Sequence, residues 1–371
     1  MKIGIFGGSF DPVHIDHVGI CKKFKEKLNL DKVIVLPARQ SPFKKGYGAS
    51  GEHRKKMLEI AFEGCEYVEV SDFELNGETT SYTFITVTHF KNLYPNAQLY
   101  MLIGLDSLAN FLTWKNPEII LQNCDLAVAG REGYDLTAEE VKFEKQTGKN
   151  LFAFEYNGIA SSTYVREHLK LNLFPKEMMD EKVYEYIKNN ELYKGDEVYS
   201  FVASKLKESR LYHTAGVVSL AISYAKKLGV SADNARIAGL LHDVAKYENA
   251  KNYPNCEIPL TAPESVKHQY LGAYIAENEL GIKNEEILNA IKYHTTGRPN
   301  MGIIEKIVFV ADLLEPSRTY EEAPYLRNAV NENFEEGFKL CVARLNSYLK
   351  RTGGDIFYLT EKANEYYNLK K

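Results

Sequence analysis

Up to about residue 193 the chain alternates short apolar runs with helical patterns, and beyond that point only helical patterns remain. One architecture does not accommodate both, and 371 residues exceed what a single core usually organises, so two domains are expected, 1–195 and 196–371. In the first half Lys2–Phe6, Lys32–Leu36, Tyr67–Val70, Gln98–Ile103 and Asp125–Ala129 read as buried strands. Helical stretches separate them. Right-handed crossovers between such strands give a doubly wound α/β parallel sheet of Rossmann-like type, whose ligand crevice lies beyond the carboxyl ends of the strands. A helix over 176–191 closes this half, and Tyr193–Glu197 forms the join. The second half reads as an all-α bundle, with helices over 210–228, 232–246, 263–280, 284–294, 303–315 and 325–349.

Charge excludes some partners. With 46 basic and 50 acidic residues the net charge is -4, so no basic field advertises nucleic acid, and any phosphate recognition must be local. No apolar run approaches the roughly 20 residues needed to span a bilayer, and the N-terminus leads straight into a strand. A cytoplasmic protein without membrane contact is expected. The five cysteines are scattered and form no C-x-x-C pair, which reads as reduced thiols rather than a disulfide framework.

Two stretches carry chemistry. The first strand empties into Gly7-Gly8-Ser9-Phe10-Asp11-Pro12-Val13-His14-Ile15-Asp16-His17. Glycine removes the Cβ that blocks an approaching phosphate and tolerates positive φ, and the next helix offers free N-terminal amides to an anion. His14 and His17, three apart, share a helical face and can reach one triphosphate. In the second half all four histidines, His213, His242, His268 and His294, together with Asp243 and Asp312, sit in apolar helical contexts. A single helix histidine is usually a satisfied core residue. Six such residues pointing inward from a bundle make a core metal site, with His242 and Asp243 about 100° apart on one helix and both facing its flank.

The opening string resembles the HxGH-type nucleotidyltransferases, within them bacterial nicotinate-nucleotide adenylyltransferase, over roughly residues 1–193. Ile159-Ala160-Ser161-Ser162-Thr163-Tyr164-Val165-Arg166 is similar to that family's second ATP signature. Ser81-Tyr82-Thr83, Gly104-Leu105-Asp106 with Trp114, and Gly130-Arg131 are similar to its substrate segments. The resemblance implies adenylyl transfer from ATP, with Mg²⁺, to nicotinate mononucleotide, with His14, His17 and Arg166 catalytic. It implies ATP contacts from Gly7, Gly8, Ser9, Phe10, Gly104, Asp106, Ser161, Ser162 and Thr163. Lys44, Tyr82, Thr83, Trp114 and Arg131 are implied for the mononucleotide, the tryptophan face stacking on a cationic pyridine ring. Two positions depart from the family pattern: Asp16 stands where it has glycine, and Phe43 where a histidine is common. Another acceptor, nicotinamide mononucleotide or phosphopantetheine, is the alternative.

Leu241-His242-Asp243-x-x-Lys246, His294-Thr295-Thr296-Gly297 and the stretch from Glu305 to Arg318 resemble HD-domain phosphohydrolases, more narrowly the YqeK-type symmetrical diadenosine tetraphosphate hydrolases. The resemblance implies two transition-metal ions, iron or manganese. His213, His242, Asp243 and Asp312 would hold one, and His268 and His294 the other, with Asp243 shared and catalytic. Lys246, Thr295, Arg298 and Arg318 are implied for the dinucleotide's phosphates. A broader nucleotidase or pyrophosphatase, or a metal-dependent regulatory module, are the alternatives for this half.

Overall fold

The computed structural model describes residues 1–40, 46–77, 80–130 and 135–369. Its chain divides into two compact units, Met1–Arg166 with Phe174–Tyr193, and Glu167–Leu173 with the chain from Lys194 onward.

The first unit is built on a six-stranded sheet, β1 (Lys2–Gly8), β2 (Lys32–Pro37), β3 (Val68–Val70), β4 (Gln98–Gly104), β5 (Asp125–Gly130) and β6 (Leu151–Glu155), in the order β3-β2-β1-β4-β5-β6. All neighbours are parallel. The runs expected from the sequence form β1 to β5. β6 was not anticipated, because Leu151-Phe152-Ala153-Phe154-Glu155 is a short edge strand with a half-buried centre. Strand order reverses between β1 and β4. Their pairing stops at Ile5 and Met101, although β1 continues to Gly8 and β4 to Gly104, so the two strands part at their carboxyl ends. This is the switch-point crevice of a doubly wound sheet.

Among the described residues eight helices accompany these strands: α1 (Ile15–Leu28), α2 (Gly51–Ala61), α3 (Thr83–Leu93), α4 (Leu105–Ala109), α5 (Pro117–Asn123), α6 (Leu136–Thr147), α7 (Ser162–Lys170) and α8 (Glu181–Asn189). The closing helix begins later than its apolar pattern implied, because the Asp180 carboxylate accepts from the amides of Lys182 and Val183 and caps it there.

The second unit is helical: α9 (Glu197–Lys205), α10 (Glu208–Lys227), α11 (Ala232–Leu241), α12 (Glu264–Asn278), α13 (Glu285–Tyr293), α14 (Ile303–Leu314), α15 (Ala323–Glu332), α16 (Phe334–Thr352) and α17 (Tyr358–Asn364). Its core is apolar, drawn from α10, α11, α12, α13, α14 and α16. Two expectations are corrected. The helix expected over 325–349 is two helices, broken at Asn333, whose side chain accepts from the Glu336 amide to start α16. The helix expected over 232–246 stops at Leu241, and His242 and Asp243 lie in the turn that follows. Among the described residues no helix is long and apolar enough to cross a membrane, and the five cysteines are unpaired.

Candidate functional sites

Where β1 and β4 part, a cavity of about 740 Å³ opens, walled by Gly7, Gly8, Ser9, His14, His17, Tyr82, Thr83, Gly104 and Trp114. His14 caps α1. Its imidazole lies against that of His17, ring centroids 3.7 Å apart. The His14 amide donates to His17 Nδ1 at 3.1 Å, so the neutral His17 ring carries its proton on Nε2. His14 Nδ1 is buried without a hydrogen-bond partner. Burial, then the nearby Arg166 charge, push the His14 pKa down to about 4.

Both glycines line the cavity, but not through a positive φ. Neither Gly7 nor Gly8 adopts positive φ; Phe10 does, at 46°. A Cβ on Gly8 would meet the Phe10 ring at 2.9 Å, so the missing side chain makes room for that ring. Phe10 is buried and packs edge-on against Phe6 and His17, which makes it a support for His17 rather than part of the cavity wall.

At the start of α7 the second signature ties itself to the first. Ser162 Oγ donates to the Pro12 carbonyl at 3.1 Å, and Ser161 Oγ accepts from the Tyr164 amide. Arg166 donates to the Asp11 carbonyl and to Thr163 Oγ1, with the Asp11 carboxylate 3.8 Å away. Asp16, the departure from the family's glycine, faces the cavity and receives the Ala160 amide at 2.6 Å and the Tyr156 hydroxyl at 3.2 Å. Its carboxylate thereby joins α1 to the loop before α7.

Gly104 caps α4, and Ser107 rather than Asp106 of that helix lines the cavity. Trp114 is half-buried beside Phe111. Lys115, which the sequence reading passed over, holds its ammonium 4.4 Å from the Tyr82 ring centroid. Lys44, Phe43 and Arg131 lie outside the described residues.

In the second unit the six anticipated ligands gather into two groups, His213, His242 and Asp312, and Asp243, His268 and His294. His213 Nε2 is 3.3 Å from His242 Nε2 and 3.0 Å from Asp312 Oδ1; His268 Nε2 is 3.2 Å from His294 Nε2. Asp243 stands between them: Oδ1 is 3.2 Å from His268 Nε2 and 3.6 Å from His294 Nε2, while Oδ2 is 3.5 Å from His242 Nε2.

The opposite ring nitrogens explain this convergence. His242 Nδ1 donates to the Gly239 carbonyl at 2.6 Å and His294 Nδ1 to that of Ile291 at 2.8 Å. Each histidine lies just past a helix end and satisfies a carbonyl the helix leaves open. A carbonyl only accepts, so both neutral rings keep an unprotonated Nε2 facing the cluster. His213 Nδ1 lies 3.1 Å from Glu315 Oε1, the carboxylate–histidine pairing that orients metal ligands. Glu315 has room only because Gly216 lacks a Cβ, which would fall 2.6 Å from Oε2.

Lone pairs and carboxylates packed this closely, with Asp243 Oδ1 buried and without a hydrogen bond, favour positive charge. Protonation answers unevenly. Burial lowers the His213 pKa, but hydrogen bonds to Asp312 and Glu315 outweigh it and raise the pKa overall. Burial holds His242 down and pushes His268 down to about 4. Burial alone would raise the Asp243 and Asp312 pKa values, but the surrounding imidazoles hold both carboxyls well below the usual range. Neutral imidazoles beside ionised carboxylates are the donor set of a divalent cation site.

Cations also reach these groups. Lys246 Nζ is 3.2 Å from His268 Nε2, and Arg318 donates to Asp312 Oδ1 at 3.1 Å. Thr295 Oγ1 is 2.9 Å from His294 Nε2 and 3.2 Å from His268 Nε2. Arg298 is engaged elsewhere, forked onto the buried Glu305 carboxylate at 2.8 and 2.7 Å. Arg210, which sequence reasoning missed, donates to Asp243 Oδ2 at 2.9 Å. Its one available signal was its position three residues before His213.

The fold and the two sites define an α/β nucleotidyltransferase-type domain followed by a helical HD domain. Residues 5–168 match the cytidylyltransferase-like family and residues 210–317 the HD domain family. The chain is 32% identical to the "Probable nicotinate-nucleotide adenylyltransferase/Ap4A hydrolase" of Mycoplasma genitalium over 326 residues, 86% of this chain and 89% of that protein. It is 31% identical to the protein of the same name from Mycoplasma pneumoniae over 327 residues, 86% of this chain and 90% of that one. A "Probable nicotinate-nucleotide adenylyltransferase" of Aliarcobacter butzleri matches 49% of this chain at 36% identity, with 94% of its own length covered. The chain belongs to the family of bifunctional nicotinate-nucleotide adenylyltransferase/Ap4A hydrolases.

Two measurements check the geometry. Gly216→Ala pushes Glu315 off His213, and Glu315→Gln removes its charge; each is expected to weaken Mn²⁺ binding by about 10- to 100-fold in calorimetric titration. Wild-type affinity in both would refute the assignment of Glu315 as the His213 orienter. In NMR titration the His14 ring should stay neutral until the pH falls well below its ordinary value of 6.5, with a midpoint near 4. Because the folded pKa is depressed, the stability tied to the neutral ring is complete above pH 6.5 and is lost as pH falls through about 4. An ordinary midpoint would show that the ring is solvated.

Proposed function

We propose that the first unit transfers the adenylyl group of ATP to nicotinate mononucleotide, giving deamido-NAD and pyrophosphate. The second unit hydrolyses diadenosine tetraphosphate to two ADP. The observation that carries the reading is the pair of sites themselves: two adjacent imidazoles on a cavity at the carboxyl end of β1, and lone pairs gathered in two triads about Asp243. The family relation over both halves supports it.

In the transfer, a 5′-phosphate oxygen of the mononucleotide bonds to the α-phosphorus of ATP, and the bond from that phosphorus to the α,β-bridging oxygen breaks. Pyrophosphate leaves with the electron pair. Side chains need only align the partners and neutralise charge. The His17 Nε2–H, fixed by the His14 amide on its other nitrogen, donates to a phosphate oxygen. Arg166 supplies permanent positive charge, and Mg²⁺ accompanies ATP. Tyr82, Thr83 and the Trp114 face form the wall for the mononucleotide.

In the hydrolysis, water attacks one of the central phosphorus atoms, and the central bridging P–O bond breaks to leave two ADP. Two divalent ions, iron or manganese, held by His213, His242 and Asp312 and by Asp243, His268 and His294, would supply charge neutralisation and an activated water. Asp243 presents one oxygen to each triad, and Lys246, Arg210 and Arg318 offer positive charge to the phosphates beyond. The Thr295 hydroxyl orients an oxygen at the second triad.

One crossed experiment tests both halves. The wild-type chain should form deamido-NAD from ATP and nicotinate mononucleotide, and ADP alone from diadenosine tetraphosphate with Mn²⁺. His17→Ala should lower the first turnover by about 10²- to 10³-fold and spare the second. Asp243→Asn should do the reverse. Transfer to nicotinamide mononucleotide alone, AMP and ATP as products of the tetraphosphate, or both activities lost together would contradict the reading.

A further inference from the structure

Arg54, in α2, heads the fully buried side chains in size, at 1% exposure. No ion pair to it occurs among the described residues. Its guanidinium donates instead to three main-chain carbonyls: Nη1 to Ser9 at 2.8 Å, Nη2 to Ala38 at 2.8 Å and Nε to Ala49 at 3.3 Å. The Tyr47 ring lies over it at 4.0 Å. Burying a cation against neutral oxygens is unfavourable, and an apolar side chain of similar volume would avoid that cost. The nearby Asp11 carboxylate offsets part of that cost, and what no other side chain supplies is the geometry of the three-way fork.

Ser9 and Ala38 line the 740 Å³ cavity from which Arg54 itself is screened. Ser9 and Phe10 share a trans peptide, so drawing the Ser9 carbonyl to the guanidinium turns the Phe10 amide N–H away from it. The same bond holds Phe10 at its φ of 46°, a conformation an L residue keeps only when its surroundings enforce it. Phe10 in turn packs on His17. A second brace runs alongside: the Asp11 carboxylate accepts from the amides of Gly48 and Ala49 at 2.9 and 3.2 Å and from the Tyr193 hydroxyl at 2.7 Å.

We propose that Arg54 is a positioning residue for adenylyl transfer: its guanidinium clamps the Ser9–Phe10 turn from behind and so sets His17. The inference rests on the reading of the first pocket as the adenylyl-transfer site. A lysine cannot replace the fork, because one ammonium lacks the planar spread to meet three carbonyls.

The test uses the full chain with Arg54→Met and Arg54→Lys. Turnover is expressed per ATP-competent site, counted by calorimetry, so that loss of folded protein is separated from loss of alignment. Arg54→Met is expected to lower kcat by about 10- to 100-fold with the KM for ATP moved by less than about threefold, and Arg54→Lys to recover only part. Unchanged kcat per competent site in Arg54→Met, or complete recovery by Arg54→Lys, overturns the proposal. If Arg54→Met does not fold, Arg54→Lys decides: reduced kcat per site supports the clamp, and full kcat overturns it. A wild-type chain without transfer overturns the reading of the first pocket and this proposal with it, whereas an active wild type beside an undiminished Arg54→Met overturns this one alone.

Discussion

The second unit depends on an electrostatic conflict at its centre. His242 and His294 donate their Nδ1 protons to helix-end carbonyls, and this leaves two Nε2 lone pairs facing other imidazoles at 3.2–3.3 Å and the carboxylate of Asp243. Such an arrangement is unfavourable unless positive charge enters it. The hydrophobic core around it, from α10 through α14, holds the ligands in place against their mutual repulsion. Arg210, Lys246 and Arg318 reach in from the edges and supply part of the missing charge. A bundle that concentrates donors in this way gives a divalent ion a preformed seat.

The first unit solves a related problem with backbone. Parallel strands that part beyond Ile5 and Met101 leave main-chain groups and two imidazoles around a cavity, and the surrounding side chains serve mainly to hold loops. Arg166 and Ser162 tie the start of α7 to Asp11 and Pro12, and Asp16 ties α1 to Ala160. The aspartate in place of a glycine therefore has a partner that fixes it, an amide at 2.6 Å. In both units charge meets phosphate chemistry, but one site is held together through loops and the other through helix ends.

Periodicity made much of this legible. Apolar runs located β1 to β5, and the histidine series located both triads, because buried strands and inward-facing ligands leave strong patterns. What stayed hidden has physical reasons. The helix bearing His242 seemed to run to Lys246 because Val244 and Ala245 are buried and continue the apolar pattern through the turn. Gly8 looked like a positive-φ position, whereas its role is to admit the Phe10 ring. Arg54, Arg210, Glu315 and Lys115 are common residue types in helices, turns and loops, and only tertiary contact reveals what each one holds.

Metal stoichiometry tests the central claim most directly. The full chain, dialysed against Mn²⁺ and then against metal-free buffer, should retain two ions by elemental analysis. His294→Ala, folded by circular dichroism, should retain about one, because it removes a ligand from only one triad. A wild-type chain that binds no ion, or a His294→Ala chain that keeps both, would contradict the account of two cation seats meeting at Asp243.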